Sequence, residues 1–312
     1  MDTKEELVSD TTVQEANIAF PTDNRLRINI VERLWKMADR RGMRWSRSYV
    51  RTVPRLKGVL KTRSHRLAGR RRKAGRRLRT IAGRLLREFR RRCPGELLED
   101  CLEELELMER VLKQRRSDSG KVYSLKDPGV FCIAKGKSHK KYEFGRKASV
   151  SVLRDSGVVV GATSFLDNPY DGDALPGSLA EVEGHAGRSF GSCLVDRGYR
   201  GRKSVGDTRI LLPEERKMEG SAYLRRKRKR RFDRRSAVEP IIGHLKSRFG
   251  LGRYMLEGPV GASINLKMAA AAWNFSKWMR EKLWLRILRR IFGPVSRFEC
   301  LWNSALSSER AY

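Results

Sequence analysis

Three acidic residues occupy positions from which carboxylates could bind metal ions. Asp10 and Asp196 each follow a short apolar run, and Glu239 lies in a later segment with helical periodicity. Mg²⁺ binds oxygen ligands, usually a few carboxylates together with water and substrate phosphates. Three converging carboxylates could hold two ions, which would activate the attacking oxygen and stabilise the leaving oxygen at a phosphodiester. Composition alone does not select this trio, because 36 Asp and Glu residues allow many others.

The segment around Glu239 has two interpretations. At 100° per residue, Arg235, Glu239 and Lys246 lie within about 40° of one another on a helix, which suits metal and phosphate binding. An adjoining apolar stripe predicts that the helix packs on a sheet, and it consists of Val238, Ile241, Ile242, Leu245 and Phe249. However, Ser236 and Glu239 also have the spacing of a capping box, and this segment alone favours the cap over the ligand.

The elements that must position these acids alternate between strands and helices. The patterns predict a strand before Asp10, a hairpin and two later strands, with helices between and after them. Their ranges are Glu6–Ser9, Val122–Leu125, Phe131–Ile133, Lys147–Leu153, Val158–Ala162, Ser192–Asp196 and Thr208–Pro213 for strands, and Leu175–Glu183 and a segment ending at Phe249 for helices. This order predicts an α/β fold with a mixed sheet flanked by helices.

A strongly basic block interrupts the predicted sheet. Residues 25–92 contain 26 Lys and Arg but only three acids, whereas residues 96–109 contain seven acids and no base, both with helical periodicity. We therefore expect an all-helical insert in which the basic block packs against the acidic helix. The predicted domains are 1–24 and 118–255 for the two parts of the sheet domain, 25–117 for the insert and 256–312 for a C-terminal helical segment.

The charge of the whole chain indicates its partner. A net charge of +33 and a pI near 10.7 make a polyanion, most commonly nucleic acid, the expected ligand. No run of 18 apolar residues exists, so we expect no membrane-spanning segment. The Trp-rich C-terminus favours core or dimer packing over an interfacial membrane helix. Five dispersed cysteines without a Cys-x-x-Cys pair predict free thiols in a reducing cytosol.

Four segments resemble one family. Asp10–Glu15 with Ile18–Asp23 is similar to the first catalytic segment of the DDE transposases of the insertion-sequence five group, which is related to the insertion-sequence four group. Later segments resemble the rest of that pattern, namely Asn168–Gly172, Val195–Gly201 and Arg235–Lys246. The last fits the signature Tyr-x2-Arg-x3-Glu-x6-Lys, except that Phe232 replaces the Tyr.

This resemblance implies an RNase H-like catalytic domain that cleaves DNA and transfers strands with Mg²⁺ or Mn²⁺. By position, Asp10, Asp196 and Glu239 would be the catalytic, metal-binding carboxylates. The predicted DNA-binding residues are basic and comprise Arg235, Lys246, Arg200, Arg225, Arg226, Lys227 and Arg228. The implied partners are double-stranded DNA (transposon terminal repeats and target) and further copies of the chain assembled on it, in the bacterial cytosol at the nucleoid.

Departures from the pattern leave other functions open. Family members usually carry a helical region before the first catalytic Asp, whereas nine residues precede Asp10 here, so we expect a truncated copy or half of a split protein. Asp173 also stands where a His commonly follows Asp171 and Gly172. The alternative function is a catalytically incompetent DNA-binding remnant. An RNA-binding protein of ribosomal type ranks last, because it leaves the acid spacing unexplained.

Overall fold

A computed structural model describes residues 5–115, 117–134, 141–213 and 238–292. Within these residues, eight strands form one mixed sheet with the order β2-β3-β1-β5-β7-β6, and β4 and β8 pair additionally with β3 and β1. The strands are β1 (Glu6–Ala16), β2 (Phe131–Ala134), β3 (Tyr142–Leu153), β4 (Val159–Ser164), β5 (Ser192–Leu194), β6 (Ser204–Val205), β7 (Thr208–Leu211) and β8 (Arg253–Tyr254).

β1 is the centre of the sheet because it pairs on both sides. Its antiparallel ladder with β3 extends from Leu7 to Glu15, whereas its parallel pairing with β5 ends at Val8. β5 pairs in parallel with β7. The short parallel side and the long antiparallel side make the sheet mixed, as the sequence predicts.

Helices cover both faces of the sheet. These covering helices are α6 (Asp171–Ala186), α7 (Val238–Arg248) and α8 (Gly258–Phe292). The other described helices belong to the insert and are α1 (Asp23–Arg40), α2 (Thr52–Lys61), α3 (Ala68–Arg92), α4 (Gly95–Glu99) and α5 (Leu102–Lys113). Leu7 packs with α6 on one face, whereas the next residue, Val8, packs with α7 and α8 on the other. This alternation follows from strand geometry, in which successive side chains point to opposite faces.

α8 also covers the edge of the sheet at β4. The Asn274 side chain accepts a hydrogen bond from the Val159 N–H (2.8 Å) and donates one to the Val159 carbonyl (2.7 Å). The Trp273 indole donates to the Gly157 carbonyl in the β3–β4 turn at 3.0 Å. An exposed strand edge would offer unpaired backbone groups, and these side chains satisfy them.

The insert between β1 and β2 comprises α1 to α5 and has its own apolar core. Leu34, Leu85 and Met108, from α1, α3 and α5, are fully buried in it. α1 begins with an N-cap, because the Thr22 hydroxyl accepts a hydrogen bond from the Arg25 N–H at 3.2 Å. Basic and acidic helices pack together as expected, but the basic block folds into three helices.

The α/β class with a helical, basic insert is confirmed, while two strand predictions are wrong. β1 continues to Ala16, so Asp10 lies within a strand, since Thr11 to Glu15 still pair with β3. Val122–Leu125 is not a strand, because the Gln114 side-chain amide pairs with both backbone groups of Val122. The domain boundaries stay predictions. No described helix is long and apolar enough to cross a membrane, and the four described cysteines are free thiols.

Candidate active site

The pairing of β1 and β5 brings Asp10 and Asp196 to the same level of the sheet. Val8 lies opposite Leu194, and each Asp follows its strand partner by two residues. Adjacent strands lie about 4.8 Å apart, so the two backbones remain neighbours where the parallel pairing ends. Both residues are half-buried. The strand register thus places two residues that are 186 positions apart in sequence on neighbouring segments of the chain.

Short hydrogen bonds fix both carboxylates locally. Asp10 Oδ1 accepts from the Thr11 N–H at 2.8 Å. Asp196 is the N-cap of a single 3₁₀ turn, Arg197–Tyr199, and its Oδ1 accepts from the Gly198 N–H at 2.6 Å. A carboxylate that accepts a backbone N–H is held in one orientation.

Glu239 lies in the first turn of α7, with its side chain exposed. The buried side of this helix packs against Val8 and Leu194, so α7 lies over the strands that carry the two aspartates. Lys246 follows Glu239 by about two turns and therefore lies on the same side of the helix. Within the described residues, however, no three His, Cys, Asp or Glu side chains stand close enough together to hold a metal ion.

A fourth carboxylate, Asp171 at the start of α6, lies beside the chain segments that carry Asp10 and Asp196. Its Oδ1 accepts a hydrogen bond from the Thr11 hydroxyl and forms an ion pair with Lys147 Nζ, both at 2.7 Å. Lys147 also donates to the Pro169 carbonyl at 2.6 Å, which holds the ammonium group in place. In the sequence, Asp171 lies within the family-like segment Asn168–Gly172 but has no predicted role. The hydrogen bond from the Thr11 hydroxyl, which the sequence does not reveal, connects it to the strand of Asp10.

Gly198 separates the carboxylates of Asp171 and Asp196. A Cβ at this residue would lie 2.8 Å from Asp196 Oδ1 and 3.2 Å from Asp171 Oδ2. Both oxygens therefore border the space above the Gly198 backbone. Real Cβ atoms are not found as close as 2.8 Å to such an atom, so a side chain here would displace the Asp196 carboxylate.

Beneath these acids lies the phenol of Tyr199, which is only 1% exposed. Burial raises the pKa of Tyr199 far above its ordinary value, and the charges of Asp10 and Asp171 raise it further. The nearby Thr11 hydroxyl lowers this pKa by less than burial and the two charges raise it. No described side chain makes a hydrogen bond of ordinary geometry to the phenol oxygen. The phenol therefore stays protonated and is a neutral donor beside three carboxylates. No sequence pattern distinguishes Tyr199 from the other tyrosines.

The predicted DNA-binding residues are described only in part. Lys246 is half-buried on α7, and Arg200 is exposed directly after the 3₁₀ turn that Asp196 caps. The remaining predicted contacts lie outside the described residues, namely Arg225, Arg226, Lys227, Arg228 and Arg235. Ser236, and with it the capping-box alternative, also lies outside them.

Comparison with known proteins gives one match. The family model described as "Transposase DDE domain" matches residues 120–275, which is half of the chain. The matched part contains Asp171, Asp196 and Glu239, whereas Asp10 precedes it. No curated protein and no solved structure matches the chain.

Proposed function

The chain belongs to the family of transposases with a DDE domain, and on that premise we propose that it cleaves DNA at transposon ends and joins the freed strand to target DNA. The observation that carries this proposal is the strand register that sets Asp10 beside Asp196. Two acids brought together by register and held by backbone N–H groups form a preorganised anionic site. A preorganised site needs no rearrangement when charge develops in the reaction.

The donor set fits a hard divalent cation. Mg²⁺ commonly uses one or two protein carboxylates and completes its shell with water and substrate phosphates, so an aspartate pair is sufficient. We propose that Asp10 and Asp196 hold Mg²⁺ or Mn²⁺ with Glu239 of α7 as the candidate third ligand, although no three described acids stand close enough together here to hold an ion. When bound, such ions polarise the phosphodiester and lower the pKa of attacking water.

The surrounding residues keep the acids in position. Neighbouring carboxylates repel one another, and the Lys147 ammonium group neutralises Asp171 at 2.7 Å. Through the Thr11 hydroxyl, Asp171 also fixes the residue whose N–H binds Asp10. We propose that Asp171 and Lys147 are positioning residues for Asp10. The protonated Tyr199 can donate to a carboxylate or phosphate oxygen that reaches it.

The proposed reaction consists of two phosphoryl transfers at one site. Water attacks the phosphorus at the transposon end and the P–O3′ bond breaks, which leaves a 3′-hydroxyl on the transposon. That hydroxyl then attacks a target phosphodiester and releases the target 3′-oxygen. Both steps depend on positioning and charge neutralisation. The partner is double-stranded DNA, on which the chain would assemble as a homo-oligomer.

The test is to remove one carboxylate charge and to measure cleavage and affinity separately. Asp196→Asn keeps the side-chain shape, so we expect nicking of a transposon-end duplex in Mg²⁺ or Mn²⁺ to fall on the order of 100-fold or more, with DNA affinity retained. The matched control is Asp207→Asn, which changes an exposed carboxylate in the β6–β7 turn. Equal cleavage by the two variants would refute the proposed site. Salt-sensitive DNA binding by a wild-type chain that never cleaves would favour the catalytically incompetent remnant.

A further inference from the structure

We infer that the outer face of α3, in the helical insert, is a binding track for the phosphate backbone of duplex DNA, separate from the carboxylate site. The inference rests on the proposed function only for the identity of the polyanion as DNA. The geometry of the track depends on the insert alone.

α3 is divided along its length into an apolar half and a cationic half. Leu78, Leu85 and Phe89 are fully buried against the other helices of the insert. Apart from Gly69 and Thr80, every exposed residue of the helix is basic, and these residues are Arg70, Arg72, Lys73, Arg76, Arg77, Arg79, Arg84, Arg87, Arg91 and Arg92. The sequence shows an excess of Arg and Lys, whereas the structure shows that they share one side.

Within this side, one line of residues follows the helix axis at intervals of three or four. We call it the α3 row, and it consists of Lys73, Arg76, Thr80, Arg84, Arg87 and Arg91. At 1.5 Å per residue the row is about 27 Å long. Duplex DNA rises 3.4 Å per base pair, so the row matches about eight base pairs.

Most cations of the row have no counter-ion within the described part of the chain. Lys73, Arg76 and Arg87 form no ion pair with any described carboxylate. The one acid of α3, Glu88, is buried and accepts from the Ser46 N–H at 2.6 Å. Like charges four residues apart, such as Arg87 and Arg91, destabilise a helix. Helix stability therefore does not explain the row, whereas a bound polyanion would relieve the repulsion.

One end of the row opens into a hollow suited to a phosphate. The cavity has a volume of about 580 Å³ and is lined by Arg47, Tyr49, Arg84, Arg87, Glu88, Arg90 and Arg91. The Arg47 guanidinium lies over the Tyr49 ring, and Arg84 donates to the Tyr49 hydroxyl at 3.4 Å. One guanidinium group can donate two parallel hydrogen bonds to the oxygens of a phosphate, and the Tyr49 ring holds the Arg47 guanidinium in place.

Charge and shape select DNA over a membrane. A helix that lies in a bilayer interface needs an apolar face directed at the lipid. In α3 the apolar face is already buried in the insert, and the outer face has no apolar side chain. A rigid cationic line on a straight helix is complementary to the regularly spaced phosphates of a duplex.

The experiment compares a variant that lacks three charges of the row with a control variant that lacks three charges elsewhere. The row variant combines Lys73→Gln, Arg76→Gln and Arg87→Gln. The control variant removes equal charge outside the row through Lys113→Gln, Lys126→Gln and Arg188→Gln, whose side chains are 75%, 73% and 55% exposed. Binding of a fluorescent 20-base-pair duplex is measured by anisotropy across a salt series in EDTA, so that cleavage plays no part. Thermal melting checks that both variants fold.

Each lost phosphate contact lowers the slope of log K against log salt by about 0.9. We expect the row variant to lose about 2 to 3 from the slope and about 10- to 100-fold in affinity at 0.1 M salt. The control should remain within about threefold of the wild type. Equal binding by the two variants would overturn the inference. A row-dependent preference for duplex RNA would overturn DNA as the occupant.

These outcomes are separable from those of the proposed function. A chain that binds through the row but never cleaves DNA would support the track and overturn the transposase chemistry. If the wild-type chain cleaves DNA but the row variant binds DNA as tightly as the wild type, the track is overturned and the transposase chemistry is not.

Discussion

A buried ion pair beside the sheet allows a quantitative test of the fold. Arg146 on β3 and Asp127 in the loop before β2 are 4% and 5% exposed, and their side chains are joined at 2.6 Å. Tyr254 on β8 donates its hydroxyl to the other Asp127 oxygen at 2.7 Å. Gly129 leaves room for the guanidinium, since a Cβ there would collide with it. The network therefore connects a loop and two strands.

Asp127→Asn keeps this shape but removes the charge opposite Arg146. A buried guanidinium then lacks its counter-ion, and breaking such a pair typically costs about 3–5 kcal/mol. Nε of Arg146 already has no partner among the described residues, so no other group compensates. Tyr254→Phe removes a hydrogen bond to a charged group and should cost about 1.5–3 kcal/mol. We therefore expect Asp127→Asn to lower the free energy of unfolding more than Tyr254→Phe does.

Urea unfolding followed by circular dichroism measures both losses. The control is Glu257→Gln, which breaks an exposed pair with Lys126, where the side chains are 61% and 73% exposed. Exposed pairs contribute about 0–1 kcal/mol. If Asp127→Asn shifts the midpoint no further than this control, the buried pair does not stabilise the fold as argued. Tyr254→Phe keeps the test available if the charge-removing variant does not fold.

Three further predictions concern the site and the pH dependence of stability. Gly198→Ala should reduce DNA cleavage because the added Cβ displaces the Asp196 carboxylate, and it should leave the melting temperature nearly unchanged. Cleavage by this variant at the wild-type rate would contradict the crowding between Gly198 and the carboxylates of Asp171 and Asp196. Burial raises the pKa of Cys193 from 9.0 to about 12, so its stability contribution is full below pH 9 and lost as pH rises towards 12. We expect iodoacetamide to leave this thiol unmodified at pH 8, as checked by mass spectrometry. Burial opposes ionisation of Glu88, but hydrogen bonds from Ser46 and the charges of nearby arginines outweigh it and lower the pKa of Glu88. The contribution of Glu88 to folding stability is therefore present above pH 4.5 and is lost in acid. Glu88→Gln should flatten the acid part of the curve of stability against pH, and an unchanged curve would contradict this.

The sequence predicts the local elements of this fold better than their ends. The β3–β4 hairpin follows from two β-branched runs around a turn that ends at Gly157, whose φ is +64°. The end of β1 could not be predicted, because only its long antiparallel partner keeps residues after Asp10 in the strand. Val122–Leu125 has a strand-like composition, yet a glutamine side chain takes the place of the partner strand. Tertiary contacts decide such cases.

The candidate site shows the same limit. Asp10 and Asp196 could be chosen from motifs, and their proximity follows from a register that no local pattern encodes. Asp171 was missed because its partners, Thr11 and Lys147, lie on different strands and are 160 and 24 residues away in sequence. Tyr199 was missed because only burial beneath the acids distinguishes it from other tyrosines. Assembly, more than residue type, determines this site.

The distribution of charge explains why so basic a protein can hold an acidic site. A cluster of carboxylates attracts divalent ions but repels the phosphates of DNA, so affinity for DNA must come from other surfaces. The insert supplies such a surface, since 26 Lys and Arg against three acids lie in residues 25–92. The chain enters α1 seven residues after β1 ends, so the cationic helices follow directly on the strand that carries Asp10. The proposed binding of DNA to α3 would therefore offset the local repulsion at the carboxylates, while Lys147 lowers that repulsion through its ion pair with Asp171.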